Sequence, residues 1–303
     1  MEHHSVYRVR LEGRMGLPET IEKLSPEGYF LQPMVSRDGT EAVFWGREAG
    51  ETGFNIWKWH CAAERPVKLT NMEAVSGHPF WSADDRQIVF FSTWGLSRET
   101  EWRMADQFNL DRSPRNIWIM GEGGEDPARL TEGPHIDERP CISPDGKHVV
   151  FVSNRSGRMN LWSVSTRTRR LTQLTDHGGL DYRPVFSADG GRLAFFSTNN
   201  PQGIHDLCVM AWPDGDFTFP LAEGTFKWVH GPFWLSDGES LIVHGVRKGE
   251  KDCAIWTVNL DSQRIERVEL PGVSSWGHGT LDASESVLVF DSRLELSLPL
   301  APM

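Results

Sequence analysis

A segment of about 45 residues recurs six times along this chain, and this period constrains the fold more than any other feature of the sequence. In each copy an anchor residue, which is Pro in five copies and Gly in the last, precedes the apolar end of a strand by 11 positions. These pairs are Pro33 and Phe44, Pro79 and Phe90, Pro140 and Phe151, Pro184 and Phe195, Pro232 and Val243, and Gly279 and Phe290. Successive anchors are 46, 61, 44, 48 and 47 residues apart, so the copy that starts at Pro79 carries an insertion.

Each repeat predicts four short antiparallel strands. The Pro-x-x-Ser segment begins the first strand, and an Asp-Gly pair makes a tight turn because Gly tolerates a positive φ. Alternating apolar residues form the second strand, and an Ile-Trp or Leu-Trp pair, or Leu207-Cys208, marks the third. The fourth ends at Leu-Thr in three repeats, at Leu221-Ala222 in the fourth and at Glu269-Leu270 in the fifth. Such units stack radially, so we predict an all-β fold, a six-bladed β-propeller of four-stranded antiparallel blades. A helical repeat is excluded because no segment keeps an apolar period of about 3.6 residues.

The sixth repeat lacks its second half, and the N-terminus supplies a matching sequence. Residues 5–11 resemble residues 254–260, the third strand of the fifth repeat. We therefore predict that residues 1–24 complete the C-terminal blade and close the ring, which removes sheet edges that would otherwise invite aggregation. The prediction is a single domain, 1–303, with an insertion in blade 2 at 94–116 and a C-terminal tail at 294–303.

Composition excludes several functional classes. Lys and Arg number 31 against 42 Asp and Glu, which argues against a nucleic-acid partner because such binding needs clustered basic residues. There is no apolar run long enough to span a membrane, and the N-terminal residues lack the basic-then-apolar pattern of a secretory signal. We therefore expect a cytoplasmic protein without a membrane partner. The four cysteines are spaced too widely for a zinc motif, and we expect free thiols.

The third repeat carries a family resemblance. Its Ser143-Pro144-Asp145-Gly146 turn, Asn154-Arg155-Ser156-Gly157 segment, Leu161-Trp162 pair and Leu174-Thr175 pair are similar to the TolB-like, or WD40-like (PD40), propeller repeats. This resemblance covers nearly the whole chain and implies the fold, while it says little about function. A more distant similarity is to the propellers of oligogalacturonate lyases, which implies a metal held by histidines in a central channel. Related blades occur in peptidases whose serine lies on a separate domain, and no GxSxG string is present here.

The residues just before each anchor should ring the mouth of the channel, because the chain enters the innermost strand of each blade there. They are Gln32, His78, Arg139, Arg183, Gly231 and His278. His230, which precedes Gly231, joins His78, His278 and the amide of Gln32 on one side of the ring. These three histidines and the amide could hold a divalent metal such as Mn, Zn or Ni, since imidazole suits these ions. The predicted metal ligands are Gln32, His78, His230 and His278.

Arginines occupy the other side of the ring. Arg139 and Arg183 could clamp a carboxylate, or they could pair with the acidic residues just upstream of them. In an enzyme, Arg139, Arg183 or Tyr182 would be the catalytic residues, with an unligated histidine as a further choice of base. Candidate ligand-binding residues beside the ring are His135, Asp137, Asp181, Trp102, Trp228 and Trp276, and the insertion with Trp102 could be either a lid or packing for the rim.

Two functions fit these features. One is a TolB-like propeller that binds a ligand or a protein partner at the His- and Arg-rich mouth. The alternative is a metal-assisted lyase or hydrolase that acts on an acidic, uronate-containing oligosaccharide, because a metal and an arginine acidify the proton next to a carboxylate. The expected partner is an acidic oligosaccharide, another small anion or, for the binding function, a protein, and both functions would use the same face of the ring.

Overall fold

The computed structural model describes residues 4–13, 18–71, 74–96, 113–200, 203–213, 215–222, 224–268 and 278–292. The N-terminal strands are β1 (Ser5–Leu11) and β2 (Pro18–Lys23). Blades 1 and 2 contain β3 (Gly28–Val35), β4 (Glu41–Glu48), β5 (Asn55–His60), β6 (Val67–Lys68), β7 (Ser76–Trp81), β8 (Gln87–Ser92), β9 (Asn116–Gly121) and β10 (Ala128–Arg129). Blades 3 and 4 contain β11 (Asp137–Ile142), β12 (His148–Ser153), β13 (Asn160–Ser165), β14 (Leu171–Gln173), β15 (Asp181–Phe186), β16 (Arg192–Ser197), β17 (Asp206–Ala211) and β18 (Phe217–Thr218). Blade 5 contains β19 (Phe226–Trp234), β20 (Ser240–Arg247), β21 (Ala254–Asn259) and β22 (Ile265–Val268), and the last strands are β23 (Gly279–Leu281) and β24 (Val287–Ser292).

These strands form six antiparallel sheets of four strands each, so the predicted six-bladed β-propeller is confirmed. In blades 1 to 5 the four strands are consecutive in sequence and pair as neighbours. Blade 6 has the order β2-β1-β24-β23, in which β1 pairs with β24 from Ser5 opposite Ser292 to Arg10 opposite Val287. In the part of the chain that the structure describes, no helix is long and apolar enough to cross a membrane.

The Ser-x-Asp-Gly segment forms the turn between the first two strands of a blade. In blade 3 the Ser143 hydroxyl donates to Asp145 at 2.7 Å and accepts the N–H of His148 at 3.0 Å, while Gly146 takes a φ of 69°. Blade 2 has Asp85 at the equivalent position with a φ of 55°, since Asp tolerates the left-handed region better than most residues. The side-chain bonds therefore fix the turn in most blades.

A Leu-Thr pair ends the repeats of blades 1, 2 and 3, and its hydroxyl bonds to the third strand of the same blade. The hydroxyl of Thr131 accepts the N–H of Ile117 at 2.9 Å and donates to the buried carboxylate of Asp137 at 2.6 Å. The hydroxyls of Thr70 and Thr175 accept the equivalent N–H groups of blades 1 and 3, also at 2.9 Å. A threonine recurs here because only a short hydroxyl side chain can both accept and donate at this position.

Apolar clusters join neighbouring blades around the ring. One cluster contains Val43, Phe90 and Phe151 from blades 1, 2 and 3, and others join blade 3 to blade 4 and blade 4 to blade 5. A fourth joins blades 5 and 6, and a fifth packs Val6 and Val289 of blade 6 against blade 1. Burial of these aromatic and branched side chains between sheets stabilises the ring, because each blade alone would leave both faces of a small sheet in water.

Candidate functional site

The six residues that precede the anchors lie together around the propeller axis. Five of them take a left-handed backbone conformation: Gln32, His78, Arg139, Arg183 and Gly231 have φ values between 49° and 59°. Each of the five lies within a shift of the strand register, where the innermost strand bulges away from its neighbour. A bulge re-aims a side chain, so the repeat turns these residues toward the axis.

A cavity of about 630 Å³, part of it open to solvent, lies inside this ring. All six ring residues line it, as does the anchor that follows each of them. The residues that follow five of the anchors also line the cavity and form a second layer, two positions further along the innermost strands than the ring residues. The second-layer residues that line the cavity are Met34, Phe80, Val185, Phe233 and Thr280. The wall is therefore polar in the first layer and largely apolar in the second.

Phe80 occupies a special position in the second layer. It is half-buried and packs against three apolar clusters, those of blades 1 to 3, blades 3 and 4, and blades 4 and 5. The last of these clusters holds residues of blades 4 and 5, such as Val185 and Trp234, and neither blade adjoins blade 2, which carries Phe80. A side chain that contacts this cluster from blade 2 must project into the channel.

Arg139 belongs to a small buried charge network. The guanidinium of Arg139 lies 3.4 Å from one carboxylate oxygen of Glu138, and the guanidinium of Arg115 lies 3.0 Å from the other. Glu138 and Arg115 are both buried. Two arginines thus share one carboxylate, which leaves this side of the cavity with a net positive charge.

Arg183 makes no ion pair or hydrogen bond through its guanidinium with any described residue. It is half-buried at the cavity wall, and burial together with the charge of Arg139 lowers its pKa below the usual range. The guanidinium nevertheless stays protonated at neutral pH, since arginine does not lose its proton in proteins. Gly231 leaves space beside it, because a Cβ added there would lie 4.0 Å from Nη1 of Arg183.

His78 is held in the neutral form. Its Nδ1 accepts the backbone N–H of Arg139 at 3.3 Å, which leaves the ring proton on Nε2. Burial lowers the pKa of His78 well below its usual value, and the nearby charges of Arg139, Arg183 and Arg115 lower it further. The ring packs edge-on against Phe91 and Trp45. The cavity therefore has a positive potential in which a protonated imidazole is unfavourable.

His278 is oriented by a buried carboxylate. Oδ1 of Asp291 accepts the backbone N–H of His278 at 2.9 Å and lies 3.2 Å from its Nδ1. The other oxygen, Oδ2, lies 2.7 Å from Nε2 of His4, which belongs to the N-terminal segment. Burial and the charge of Arg183 lower the pKa of His278 to about 4, although Asp291 acts in the opposite direction. Burial alone would raise the pKa of Asp291, but the two histidines lower it, so the carboxylate is ionised.

The predicted metal ligands are only partly suited to a metal. Gln32, His78 and His278 reach one cavity, and His230 lies in β19, although its side chain is outside the described residues. The amide oxygen of Gln32 accepts the indole N–H of Trp45 at 2.9 Å, and His78 carries its proton on the nitrogen that a metal would need. Within the described ranges, no group of three or more His, Cys, Asp or Glu side chains could hold a metal ion. The arginines also disfavour a cation here, so we derive no metal-dependent step.

The other predicted site residues lie around the ring rather than in the cavity wall. Asp137 and Asp181 are fully buried and hydrogen-bonded: Asp137 to Ser153 and Arg155 of its own blade, and Asp181 to Asn160 of the preceding blade. The ring of Tyr182 packs against His205 with centroids 5.0 Å apart, and burial raises the pKa of Tyr182. His135 is half-buried, and Trp228 packs edge-on against His244. Trp102, Trp276 and most of the insertion 94–116 lie outside the described residues.

Sequence reasoning missed Asp291, His4 and Phe80. A signal for Asp291 was present, because the position after the apolar end of the second strand is Trp45, Phe91, Val152, Phe196 and His244 in the other repeats. A carboxylate at a position that is otherwise aromatic or aliphatic indicates a special environment. His4 carried no such signal, since its partner lies at the opposite end of the chain.

Comparisons with known proteins agree with the fold. The family model for the PD40 TolB beta propeller domain matches residues 107–211. A protein TolB homolog from Chlorobium luteolum is 26% identical over 138 residues, which cover 46% of this chain and 27% of that protein. The uncharacterized peptidase YuxL from Bacillus subtilis is 25% identical over 124 residues, or 40% of this chain and 16% of that protein. The matches therefore span about a quarter or less of these relatives.

Solved structures extend the likeness to the whole ring. A putative TolB from Agrobacterium tumefaciens has a TM-score of 0.72 with 14% identity, over 98% of this chain and 99% of that one. An oligogalacturonate lyase in complex with manganese has a TM-score of 0.64 with 12% identity, over 98% and 91% of the two chains. At such low identity the likeness concerns the fold alone. The resemblance inferred from the repeats is thus confirmed: this chain is a six-bladed β-propeller similar to the TolB propellers and to those of oligogalacturonate lyases.

Proposed function

We propose that this chain binds a small anionic ligand at the mouth of its channel, with Arg183 and Arg139 as the groups that contact the negative charge. The observation that carries the proposal is the state of Arg183, which lines the cavity and has no ion pair with any described residue. A desolvated guanidinium next to open space is stabilised by an anion, and its planar shape matches a carboxylate.

The surroundings of Arg183 support the same assignment. Arg139 shares the single carboxylate of Glu138 with Arg115, and the pKa of His78 is lowered partly by these arginines. The whole chain carries a formal charge of −11, so a positive cavity in an acidic protein stands out as a local feature. An acidic sugar, an organic acid or an acidic side chain of a protein partner would satisfy this chemistry.

The test is a titration with simple carboxylates at low ionic strength, measured by calorimetry or by NMR. Acetate and digalacturonate serve as probes for the native protein, for Arg183→Gln and for Arg167→Gln. Arg167 is an exposed arginine away from the cavity, so this control removes the same charge without touching the site. We expect at least tenfold weaker binding in Arg183→Gln alone, together with a clear loss of affinity as salt is added. Equal affinities in the two variants would refute the proposal.

A second candidate is a lyase that removes the proton next to the carboxylate of a uronate sugar. The observation in its favour is the Asp291–His278 pair, in which Nδ1 donates to the carboxylate and Nε2 keeps its lone pair beside the positive cavity. Such a nitrogen could accept a proton from a substrate whose carboxylate contacts Arg183. The fold likeness to oligogalacturonate lyases is consistent with this candidate.

The lyase is tested by following the absorbance of an unsaturated product from uronate oligosaccharides, with the divalent ions Mn, Zn and Ni added in separate runs. Loss of activity in His278→Gln, but not in His148→Gln, would support it, because His148 packs against Trp212 away from the cavity. No product from any oligosaccharide under any of these conditions would rule out the lyase and leave anion binding intact.

A further inference from the structure

We infer that the cavity is a blind pocket for an amphiphilic carboxylate, which enters with its apolar group first and leaves its carboxylate at Arg183. This inference rests on the proposed anion site and names the class of ligand. It is argued from two features of the described residues, the layering of the cavity wall and the position of Phe80.

The layering sets the polarity along the axis. The first layer offers Arg139, Arg183, His78 and His278, while the second layer offers Met34, Phe80, Val185 and Phe233. Thr280 also lines this layer, but its hydroxyl is bonded to the backbone of blade 1. Proline rings at the anchors of five blades lie between the two layers and add apolar surface. A small inorganic anion would contact the first layer only and leave this apolar wall in water, whereas a ligand with an apolar group would cover it.

Phe80 sets the depth. Because it contacts a cluster of blades 4 and 5, which do not adjoin its own blade, it projects into the channel, and in this proposal it closes the channel at the second layer. A ligand that enters from the mouth therefore cannot pass through the propeller and must end against the face or edge of this ring. Aromatic rings favour such contacts in offset or edge-to-face arrangements.

The spacing of the two layers sets the length of the ligand. Positions two residues apart on a regular strand are separated by about 7 Å along its axis, and this value is an upper limit here because the ring residues lie in bulges. A carboxylate joined to a phenyl ring by two methylene groups spans this distance, whereas a carboxylate attached directly to the ring falls short. A neutral analogue of the same shape would bury the same apolar surface while leaving Arg183 without a counter-charge.

The experiment compares three probes on the native chain: 3-phenylpropionate, its neutral amide 3-phenylpropionamide, and acetate. We expect 3-phenylpropionate to bind at least tenfold more tightly than acetate, because one aromatic ring leaves water. We also expect it to bind at least tenfold more tightly than the amide, because only the acid pairs with Arg183. In a saturation-transfer NMR measurement, the phenyl protons should receive more saturation from the protein than the methylene protons beside the carboxylate.

The two possible failures give different results. If acetate and 3-phenylpropionate bind equally and both lose affinity in Arg183→Gln, the anion site stands and the amphiphilic pocket is refuted. If the amide binds as tightly as the acid, or if no carboxylate depends on Arg183, the anion site itself is refuted together with this inference.

A variant of the floor provides an independent check. Phe80→Leu keeps an apolar side chain and shortens it, so the pocket becomes deeper. The affinity for a longer ligand such as 5-phenylpentanoate should therefore rise relative to the affinity for 3-phenylpropionate. Acetate serves as the internal control, since it contacts only the first layer and should bind equally to both proteins. An unchanged preference between the two phenyl acids, in a Phe80→Leu protein that still binds acetate, would refute the role of Phe80 as the floor.

Discussion

Asp291 orients His278 through two contacts, accepting its backbone N–H at 2.9 Å and lying 3.2 Å from its Nδ1. The same carboxylate accepts the backbone N–H of Gln32 at 3.2 Å and reaches His4 at 2.7 Å. It therefore connects the N-terminal segment, blade 1 and the last strand of the ring at one buried point. The channel mouth and the closure of the ring share this carboxylate.

The first prediction concerns the charge of Asp291. Asp291→Asn keeps the size of the side chain but removes a buried charge that four donors contact, so we expect a loss of about 3 kcal/mol in the free energy of unfolding. Urea denaturation measures this loss, and ¹⁵N NMR of the imidazoles should show that His278 loses its preference for a proton on Nδ1. Asp84→Asn in an exposed turn is the control, and an equal effect of the two variants would contradict the prediction.

The second prediction concerns ring closure. Removal of residues 1–24 takes away β1 and β2, which exposes the edge of β24 and uncovers Val289 and Asp291. We expect the shortened chain to aggregate and to lose cooperative unfolding, because an unpaired edge and an uncompensated buried carboxylate are both unfavourable. Analytical ultracentrifugation measures the aggregation, and thermal denaturation measures the cooperativity of unfolding.

A milder variant separates closure from a general effect of truncation. Val9→Ala removes two fully buried methyl groups from β1 and leaves the strand in place. It should lower the free energy of unfolding by roughly 2 kcal/mol. A truncated protein that remains monomeric and unfolds as sharply as the full chain would show that the N-terminal strands are dispensable.

Local chemistry explains why much of the fold was predictable. The Ser-x-Asp-Gly turn and the Leu-Thr pair are stabilised by bonds between residues close in sequence, such as Ser143 with Asp145 and Thr131 with Asp137. Such contacts recur with the period of the repeat, so sequence spacing alone locates the strands. The ring of residues before the anchors was predictable for the same reason, since each occupies one position of the repeat.

The parts that sequence reasoning missed depend on contacts between distant residues. Asp291 meets Gln32, which is 259 positions away in sequence, and no period relates the two. Phe233 occupies the same position of the repeat as Phe80, yet it packs beside blades 5 and 6 while Phe80 contacts clusters beyond its neighbouring blades, so residue type alone does not predict the role of Phe80. The left-handed backbone of Arg139 and Arg183 likewise follows from strand bulges, which the alternation of apolar residues does not reveal.

The third prediction concerns the hydroxyl of Thr131. Thr131→Val preserves shape, but it leaves the buried N–H of Ile117 and one oxygen of Asp137 without the hydroxyl partner that they have in the native blade. We expect the free energy of unfolding to fall by about 2 kcal/mol, because an unsatisfied buried polar group costs about 1–3 kcal/mol. The loss is not larger because Asp137 keeps its bonds from Ser153 and Arg155. Thr172→Val, on an exposed position of β14, is the matched control and should change stability little. Similar denaturation midpoints for the two variants would contradict the structural role of the Leu-Thr pair.

The fourth prediction concerns pH. The pKa of His278 is about 4 in the folded protein and that of His78 lies well below its usual value, whereas both side chains titrate near pH 6.5 when unfolded. Between pH 6.5 and 4 the unfolded chain therefore binds more protons than the folded chain, and the free energy of unfolding must fall as the pH falls through this range. The pKa of Asp291 is lowered, so its carboxylate stays ionised in the folded protein over this range. Asp291 therefore does not offset the fall in the free energy of unfolding.

The size and origin of this pH dependence can be measured by urea denaturation at several pH values from 7 to 4.5. We expect the native protein to lose roughly 2 kcal/mol or more across the range, because each histidine that must stay neutral contributes to the slope. His278→Gln and His78→Gln should each flatten the profile, while His60→Gln, at an exposed position, should leave its slope unchanged. A profile equally steep in all three variants would mean that these buried histidines are not the source. A flatter profile in the two cavity variants would instead show that the cavity keeps both histidines neutral, through burial first and through the charges of Arg139 and Arg183 in addition.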